Sequence, residues 1–447
     1  MKSSRREFLA STGCGVAAAA FGTSFWRTTS AEEPGKPLRV AAVITEFTYR
    51  SHAHVILENF LNPYLFNGRP TEPGVQVVSF YVDQFPGGDM SREVVRERNI
   101  NIYDTIGGAL CDGGDRLAVD GVLSIGEHGN YPHNEKGQHL YPRKRFFDEI
   151  VAVFRASGRA APVFNDKHLS YRWDWAKEMF DTAGELGFPL MAGSSVPLAE
   201  RRPPLQLPAG AKIEQAVSIH GGGVESYDFH ALEVLQSMAE ARQGGETGVG
   251  RVQFLEGDAL WSAADAGRWS IELATAAMTA ELGAEHELTR SLALRGKTPE
   301  GRDVPMHGVL LDYRDGLSAI ALKVADSGTR WNFACRLVGE DRPRATSFYV
   351  GPWQNRNLFK ALSHAIQTHF REQRAPYPVE RTLLVTGILA AEMDSRFEGG
   401  RPVDTPHLAV AYQPRDFRAL REMGASWKII TEDTPQPRGL DELPPGV

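Results

Sequence analysis

Between Leu38 and Gly193 the chain alternates short apolar runs with amphipathic stretches, and this alternation restricts the fold more than any other feature of the sequence. The runs Leu38 to Glu46, Val75 to Asp83, Asp120 to Gly126, Ala161 to Asn165 and Pro189 to Gly193 are apolar and short, so they read as buried strands. His52 to Leu65, Arg143 to Phe154 and Arg172 to Leu186 carry apolar residues at helical spacing. Strands alternating with helices pack as a parallel sheet covered on both faces. The expectation is an α/β fold with a Rossmann-like, doubly wound parallel sheet over residues 37–197.

The grammar then changes. Glu200 to Pro208, with Arg201-Arg202-Pro203-Pro204, reads as a linker or crossover, and Tyr227 to Arg242 as one strong helix stopped by Gly244-Gly245. Val309 to Tyr313 and Leu317 to Val324, separated by Arg314-Asp315-Gly316, predict a hairpin. Trp331 to Val338 and Ala345 to Val350 continue it as a meander, and helices over Asn355 to Arg374 and Val379 to Glu398 follow. This pattern predicts a second, α+β domain over residues 198–447 with an open, mainly antiparallel sheet. Trp331, Phe333 and Tyr349 would give that sheet an apolar surface for homo-oligomer formation.

The N-terminus carries Ser4-Arg5-Arg6-Glu7-Phe8-Leu9, an apolar run from Ala10 to Trp26 and small residues at Thr29-Ser30-Ala31, the pattern of a twin-arginine export signal over residues 1–33. That route carries folded proteins, so the mature chain is expected in the periplasm or otherwise outside the cytoplasm. Ser11-Thr12-Gly13 before Cys14 lacks the leucine of a lipoprotein box. No later stretch approaches the roughly 20 apolar residues of a membrane span. A mature length of about 415 residues exceeds what one core usually supports and agrees with two domains. The net charge of -7, with Lys and Arg scattered, argues against nucleic acid or an anionic membrane as partner. Cys111 and Cys335 lie beyond the leader with no Cys-x-x-Cys spacing, which leaves at most one bridge between them.

In a doubly wound sheet, ligands bind outside the carboxyl ends of the strands. The residues just past those ends are Thr45-Glu46, Asp83, Glu127-His128, Asp166-Lys167-His168 and Ser194-Ser195, and eight of the thirteen histidines fall between His52 and His230. A lysine beside a carboxylate and an imidazole, as in Asp166-Lys167-His168, can donate a proton or orient a substrate carbonyl. His230 and Glu233 lie three apart on one helix and share a face. They follow Gly221-Gly222-Gly223, where backbone can approach a ligand closely. An imidazole paired with a carboxylate suits general acid or base work.

These residues, in this order, resemble the Gfo/Idh/MocA family of sugar oxidoreductases. Asp166-Lys167-His168 is similar to the family's Glu-Lys-Pro signature, and His230-Ala231-Leu232-Glu233 after the glycines to its His-x-x-Asp helix. Arg381 to Pro402 is similar to the family's closing helix. The resemblance implies Lys167 as catalytic lysine beside Asp166, His230 as proton carrier and Glu233 as a contact to a sugar hydroxyl. It also implies a small-molecule carbohydrate or polyol as substrate. NAD or NADP would then lie against Thr45, Arg50, Asp83, Glu127 and His128. The chain departs from the pattern at the first strand-helix turn, where Ile44 to Ala53 contains no glycine although a dinucleotide site uses G-x-G-x-x-G. Without a dinucleotide, the carboxylates and imidazoles there, Glu46, His52, His128 and His168 foremost, are ligand types for a divalent Zn, Mn or Fe ion. The protein would then be a redox-free carbohydrate lyase or hydrolase; a non-catalytic sugar- or protein-binding relative is the third alternative.

Overall fold

The computed structural model describes residues 36–283, 306–440 and 443; the expected leader lies outside them. The first half runs β1 (Leu38–Ile44), α1 (His52–Leu61), a hairpin of β2 (Tyr64–Phe66) and β3 (Arg69–Thr71), β4 (Val75–Val82), α2 (Ser91–Arg98) and β5 (Asn101–Tyr103). It continues through α3 (Ile106–Cys111), β6 (Gly121–Ile125), α4 (Arg143–Ser157), β7 (Val163–Asp166), α5 (Trp173–Leu186) and β8 (Leu190–Gly193). Six strands form a wholly parallel sheet in the order β5-β4-β1-β6-β7-β8. The order reverses between β1 and β6, which opens a crevice at their carboxyl ends.

The second half contains β9 (Glu200–Arg202), β10 (Ile213–Gly221), α6 (Asp228–Ala239), β11 (Val249–Glu256), α7 (Gly257–Asp265), α8 (Ile271–Leu282) and β12 (His307–Tyr313). It ends with β13 (Ser318–Lys323), β14 (Ser327–Leu337), β15 (Arg344–Tyr349), α9 (Asn355–Glu372), α10 (Glu380–Phe397) and β16 (Val403–Asp404). Its eight-stranded sheet has the order β16-β11-β12-β13-β10-β14-β15-β9, and every neighbouring pair is antiparallel except β10 with β13. Helices α7 and α8 cover one face, where Trp261, Trp269 and Leu273 pack on Ile219, Leu310 and Ile320. The hairpin expected between Tyr313 and Leu317 is present as β12 and β13.

Several sequence expectations are corrected. The first helix stops at Leu61, because the residue before Pro63 disfavours helical backbone, and Tyr64 to Phe66 turn into a strand. Residues 200–202 of the expected linker pair with β15 as an edge strand. Trp331 and Phe333 are buried, and the Arg202 guanidinium lies 3.6 Å above the Tyr349 ring, so these aromatics do not form an exposed patch. Cys111 and Cys335 are both free.

The closing helices return to the parallel sheet. Phe370 of α9 lies over Gly121 of β6, where a Cβ would sit 2.9 Å from its ring, and Leu383 of α10 joins Ala176 and Met179 of α5 in one core. Helix α6 is buried along its whole length. Its Glu233 accepts from Thr382 Oγ1 at 2.7 Å, the other carboxylate oxygen has no partner, and burial pushes the carboxyl up to about 7.

Gly121→Ala is expected to cost about 1–3 kcal/mol by overpacking against Phe370, read as a lower urea midpoint at unchanged slope. For Glu233 the folded carboxyl titrates above its unfolded value, so its contribution is intact below pH 4.5 and is lost as pH rises toward 7. Glu233→Gln removes that dependence. It should stabilise the protein by up to about 3 kcal/mol at pH 8 and by little at pH 5, in chemical denaturation at the two pH values.

Candidate functional site

Where β6 and β7 end, the backbone turns sharply: His128 (φ 69°) and Lys167 (φ 62°) both adopt the left-handed region that L-residues avoid. Glu225 (φ 65°) and Gln354 (φ 55°) do the same, and all four line one cavity of about 450 Å³ between the two sheets. At its floor Glu127 accepts from Lys167 Nζ at 2.8 Å and pairs with Arg143 through its other oxygen. Burial alone would raise the Glu127 carboxyl, but Lys167 and Arg143 hold it well below the usual carboxylate range. The cavity therefore keeps a charged carboxylate and two cations away from bulk water.

Two histidines are oriented above this cluster. His52, from the first turn of α1, meets Asp166 Oδ2 through Nδ1 at 2.6 Å. His230 meets Ser194 Oγ through Nδ1 at 2.6 Å, and Ser194 Oγ also accepts the Val196 amide. In both rings Nε2 is left for a ligand. Burial, then the Lys167 charge, pushes His230 well below the usual imidazole range, so it is neutral at pH 7. Burial, then His52, brings His128 down to about 4. Four buried polar atoms of cavity-lining residues have no partner: His128 Nε2, His168 Nδ1, Ser195 Oγ and Glu225 Oε1. One wall is aromatic, with the Tyr227 and Trp331 rings stacked 5.1 Å apart.

Lys167 and His230 thus share a cavity, while other residues marked by the sequence go elsewhere. Glu233 bonds Thr382 and lies outside the cavity lining, so Ser194 takes the place of the expected carboxylate partner of His230. The expected approach of backbone to ligand at Gly221-Gly222-Gly223 is also replaced. A Cβ on Gly222 would sit 2.0 Å from the Tyr227 ring and one on Gly221 2.6 Å from the Ser327 amide, so the protein itself fills that space. Sequence reasoning missed the His52–Asp166 pair as a unit, the Tyr227–Trp331 wall and Glu225. The pair is 114 residues apart in the chain, a separation no local pattern reveals.

The residues expected at a dinucleotide are engaged with one another. Thr45 Oγ1 donates to the Glu127 carbonyl at 2.5 Å, and Asp83 accepts from Tyr81, Tyr131 and Arg145. Arg50 donates to Asn355 Oδ1 at 2.8 Å and Gln354 Oε1 at 3.2 Å. In the turn itself Phe47 is fully buried, and the amides of Thr48, Arg50, Ser51 and His54 donate to Ser51 Oγ, His54 Nδ1, the Thr48 carbonyl and Ser51 Oγ. A pyrophosphate needs free amides and an open approach, but four amides of this turn are already engaged and the buried Phe47 ring takes the place of the glycines. The residues present do not fit a dinucleotide at that position.

The expected metal set does not assemble either. Glu46 accepts from Thr48 and lies outside the cavity lining, His52 is held by Asp166, and His168 faces the Arg143 guanidinium at 3.1 Å, which opposes a cation. Among the described residues, the group with converging donor atoms is instead His220, Asp228 and His307. There Asp228 Oδ1 meets the two Nε2 atoms at 2.9 and 2.8 Å, and the Gly222 amide donates to His220 Nδ1. These hydrogen bonds satisfy the cluster and pin the first turn of α6 to β10 and β12.

No protein-family model matches the sequence, and no curated protein matches it. Solved structures do. The structure of GenD2 from gentamicin A biosynthesis, in complex with NAD, superimposes with a TM-score of 0.51 at 12% identity, over 85% of this chain and 99% of that one. A probable dehydrogenase from Thermotoga maritima covers 83% of this chain and 100% of its own at 12% identity, TM-score 0.49. The myo-inositol 2-dehydrogenase from Lactobacillus plantarum covers 83% and 99% at 12% identity, TM-score 0.49. The parallel sheet, the large mixed sheet and their order along the chain give this protein the fold of the Gfo/Idh/MocA dehydrogenases.

Proposed function

We propose that the protein is an exported enzyme that moves protons on a carbohydrate or polyol bound in the cavity between the two sheets. One observation carries this reading: a neutral imidazole, the Lys167–Glu127 ion pair and four unpartnered polar atoms converge on one cavity beside a flat aromatic wall. A polyhydroxylated ring matches that surface, since its apolar face stacks on Trp331 or Tyr227 and its hydroxyls satisfy His128 Nε2, Ser195 Oγ and Glu225 Oε1. His230 Nε2 accepts a hydroxyl or carbon-bound proton. Lys167, held by Glu127, donates to the oxygen on which negative charge grows, and the His52–Asp166 pair provides a second proton carrier.

A second reading, nicotinamide-dependent oxidation of the same substrate class, is favoured by the shared fold with GenD2, whose structure contains NAD. It requires a dinucleotide bound by contacts other than those of the first strand-helix turn. Export rests on the Ser4-Arg5-Arg6-Glu7-Phe8-Leu9 pattern. Replacing both arginines with lysine should retain the protein in the cytoplasmic fraction.

The test is a panel of sugars, oxidised sugars and polyols assayed two ways, by absorbance at the reduced-nicotinamide band with NAD or NADP added and by product analysis with neither. The first reading expects turnover without nicotinamide, the second only with it. Under both, Lys167→Met and His230→Gln should each lower kcat/KM by about 10²–10⁴-fold. His230→Gln should leave the thermal midpoint nearly unchanged, whereas Lys167→Met also lowers it by removing one of the two cations that hold the buried Glu127. Unchanged turnover in either variant would remove that residue from the chemistry.

A further inference from the structure

Away from this cavity, α6 borders a second one of about 320 Å³ whose charge is not balanced. Arg201 of β9 and Arg421, in the C-terminal segment, both line it and are both buried, 4% exposed each. Arg201 donates to the Leu205 carbonyl at 2.9 Å and lies 5.4 Å from the Phe348 ring; Arg421 donates to Gln206 Oε1 at 3.3 Å. In each guanidinium Nε has no partner. No carboxylate among the described residues pairs with either. The charges acting on Arg201 are those of Arg421 and Arg381, both repulsive. Glu240 and Asp416 also line the cavity but are already committed, Glu240 to Arg381 and Tyr412, and Asp416 to Arg418; the charges acting on Arg421 are the repulsion of Arg418 and the attraction of Asp416.

Two buried like charges with unsatisfied donors are an unstable arrangement in the absence of a counter-charge. The Arg201-Arg202-Pro203-Pro204 segment places the first of them, because β9 pairs with the edge of the mixed sheet and directs that side chain inward. Leu207, Met238 and Phe417 give part of the lining an apolar surface, and Arg415 and Arg418 add further positive charge beside Glu240 and Asp416. The geometry points to a binding site for a tetrahedral oxyanion, phosphate or sulfate, gripped by Arg201 and Arg421. The volume and apolar wall suit an anion carried on a small organic group. Two guanidinium forks converging from different segments match the oxygens of such an anion, and charge-assisted hydrogen bonds of this type are the strong ones. The site shares no lining residue with the first cavity. Met238 lies eight residues beyond His230 on α6, about 12 Å along the helix.

The experiment titrates the full-length mature protein with inorganic phosphate, inorganic sulfate and phenyl phosphate, against sodium chloride at matched ionic strength, by thermal shift and isothermal calorimetry. Expected is a saturable rise in thermal midpoint with phosphate or sulfate and none with chloride. Tighter binding of phenyl phosphate would identify an ester as the ligand class, and equal binding the free ion. Arg201→Met and Arg421→Met should each weaken binding by at least about tenfold. Because each removes a repelled buried charge, both should melt no lower than the wild type in anion-free buffer. His230→Gln should keep the anion response, which separates this site from the first cavity. The proposal is overturned if the wild type responds no more to phosphate and sulfate than to chloride, if the arginine variants keep the response, or if His230→Gln loses it.

Discussion

The buried charge cluster at the crossover of the parallel sheet is the constraint on which the site depends. Glu127 leaves β6 into a region closed to water, and its negative charge is tolerable there because Lys167 and Arg143 arrive from β7 and α4. The left-handed backbone at His128 and Lys167 is the cost of bringing those groups together from adjacent strand ends. Removing one member would leave a buried charge uncompensated, so the three side chains fix one another's positions. His168 and His230 are then neutral because they are buried and, second, because they share space with cations, which suits a ring that must accept a proton rather than hold one.

The same crevice shows how a doubly wound sheet operates without a glycine-rich turn. Where glycines would leave amides pointing at a phosphate, this chain spends them internally on Ser51 Oγ and His54 Nδ1 and fills the gap with Phe47. One strand further out, Asp83 is surrounded by two tyrosines and Arg145. The functional volume moves to the other side of the crossover, over β6, β7 and β8, where the second sheet and α9 close it. The cavity accordingly carries residues from both halves of the chain: His52 and Glu127 from one, His230, Trp331 and Asn355 from the other.

The alternation of strands and helices, the hairpin at Arg314-Asp315-Gly316 and the closing helices were legible because each follows a local rule of spacing or turn chemistry. Strand β10 was not, since Glu214, Gln215, Ser218 and His220 interrupt its apolar run, and a central strand buried by contacts from distant residues leaves little trace in its own pattern. Helices α7 and α8 were missed for a related reason: their many alanines weaken the contrast between faces. At the site, Lys167 stood out because Asp166 and His168 flank it, and His230 because Glu233 lies one helical turn on, after Gly221-Gly222-Gly223. Glu233 stood out equally and misled, because position on a helix face says nothing about which of two neighbouring elements a long side chain will meet. Thr382 of α10 supplied the donor, and the carboxylate followed it.

Helix α6 is the element through which the two halves of the molecule are mechanically joined. Its first turn is pinned by Asp228 to His220 and His307, and Glu233 ties its middle to α10. Near its end, Gln236 reaches Tyr412 and Tyr313, and Glu240 holds Arg381. Every residue along it is buried, so it has no solvent face along which to slide. A buried helix held at both ends transmits displacement as a rigid rod, and packed interiors yield in discrete steps rather than by smooth deformation. His230 near one end and Met238 near the other are therefore set by the same packing.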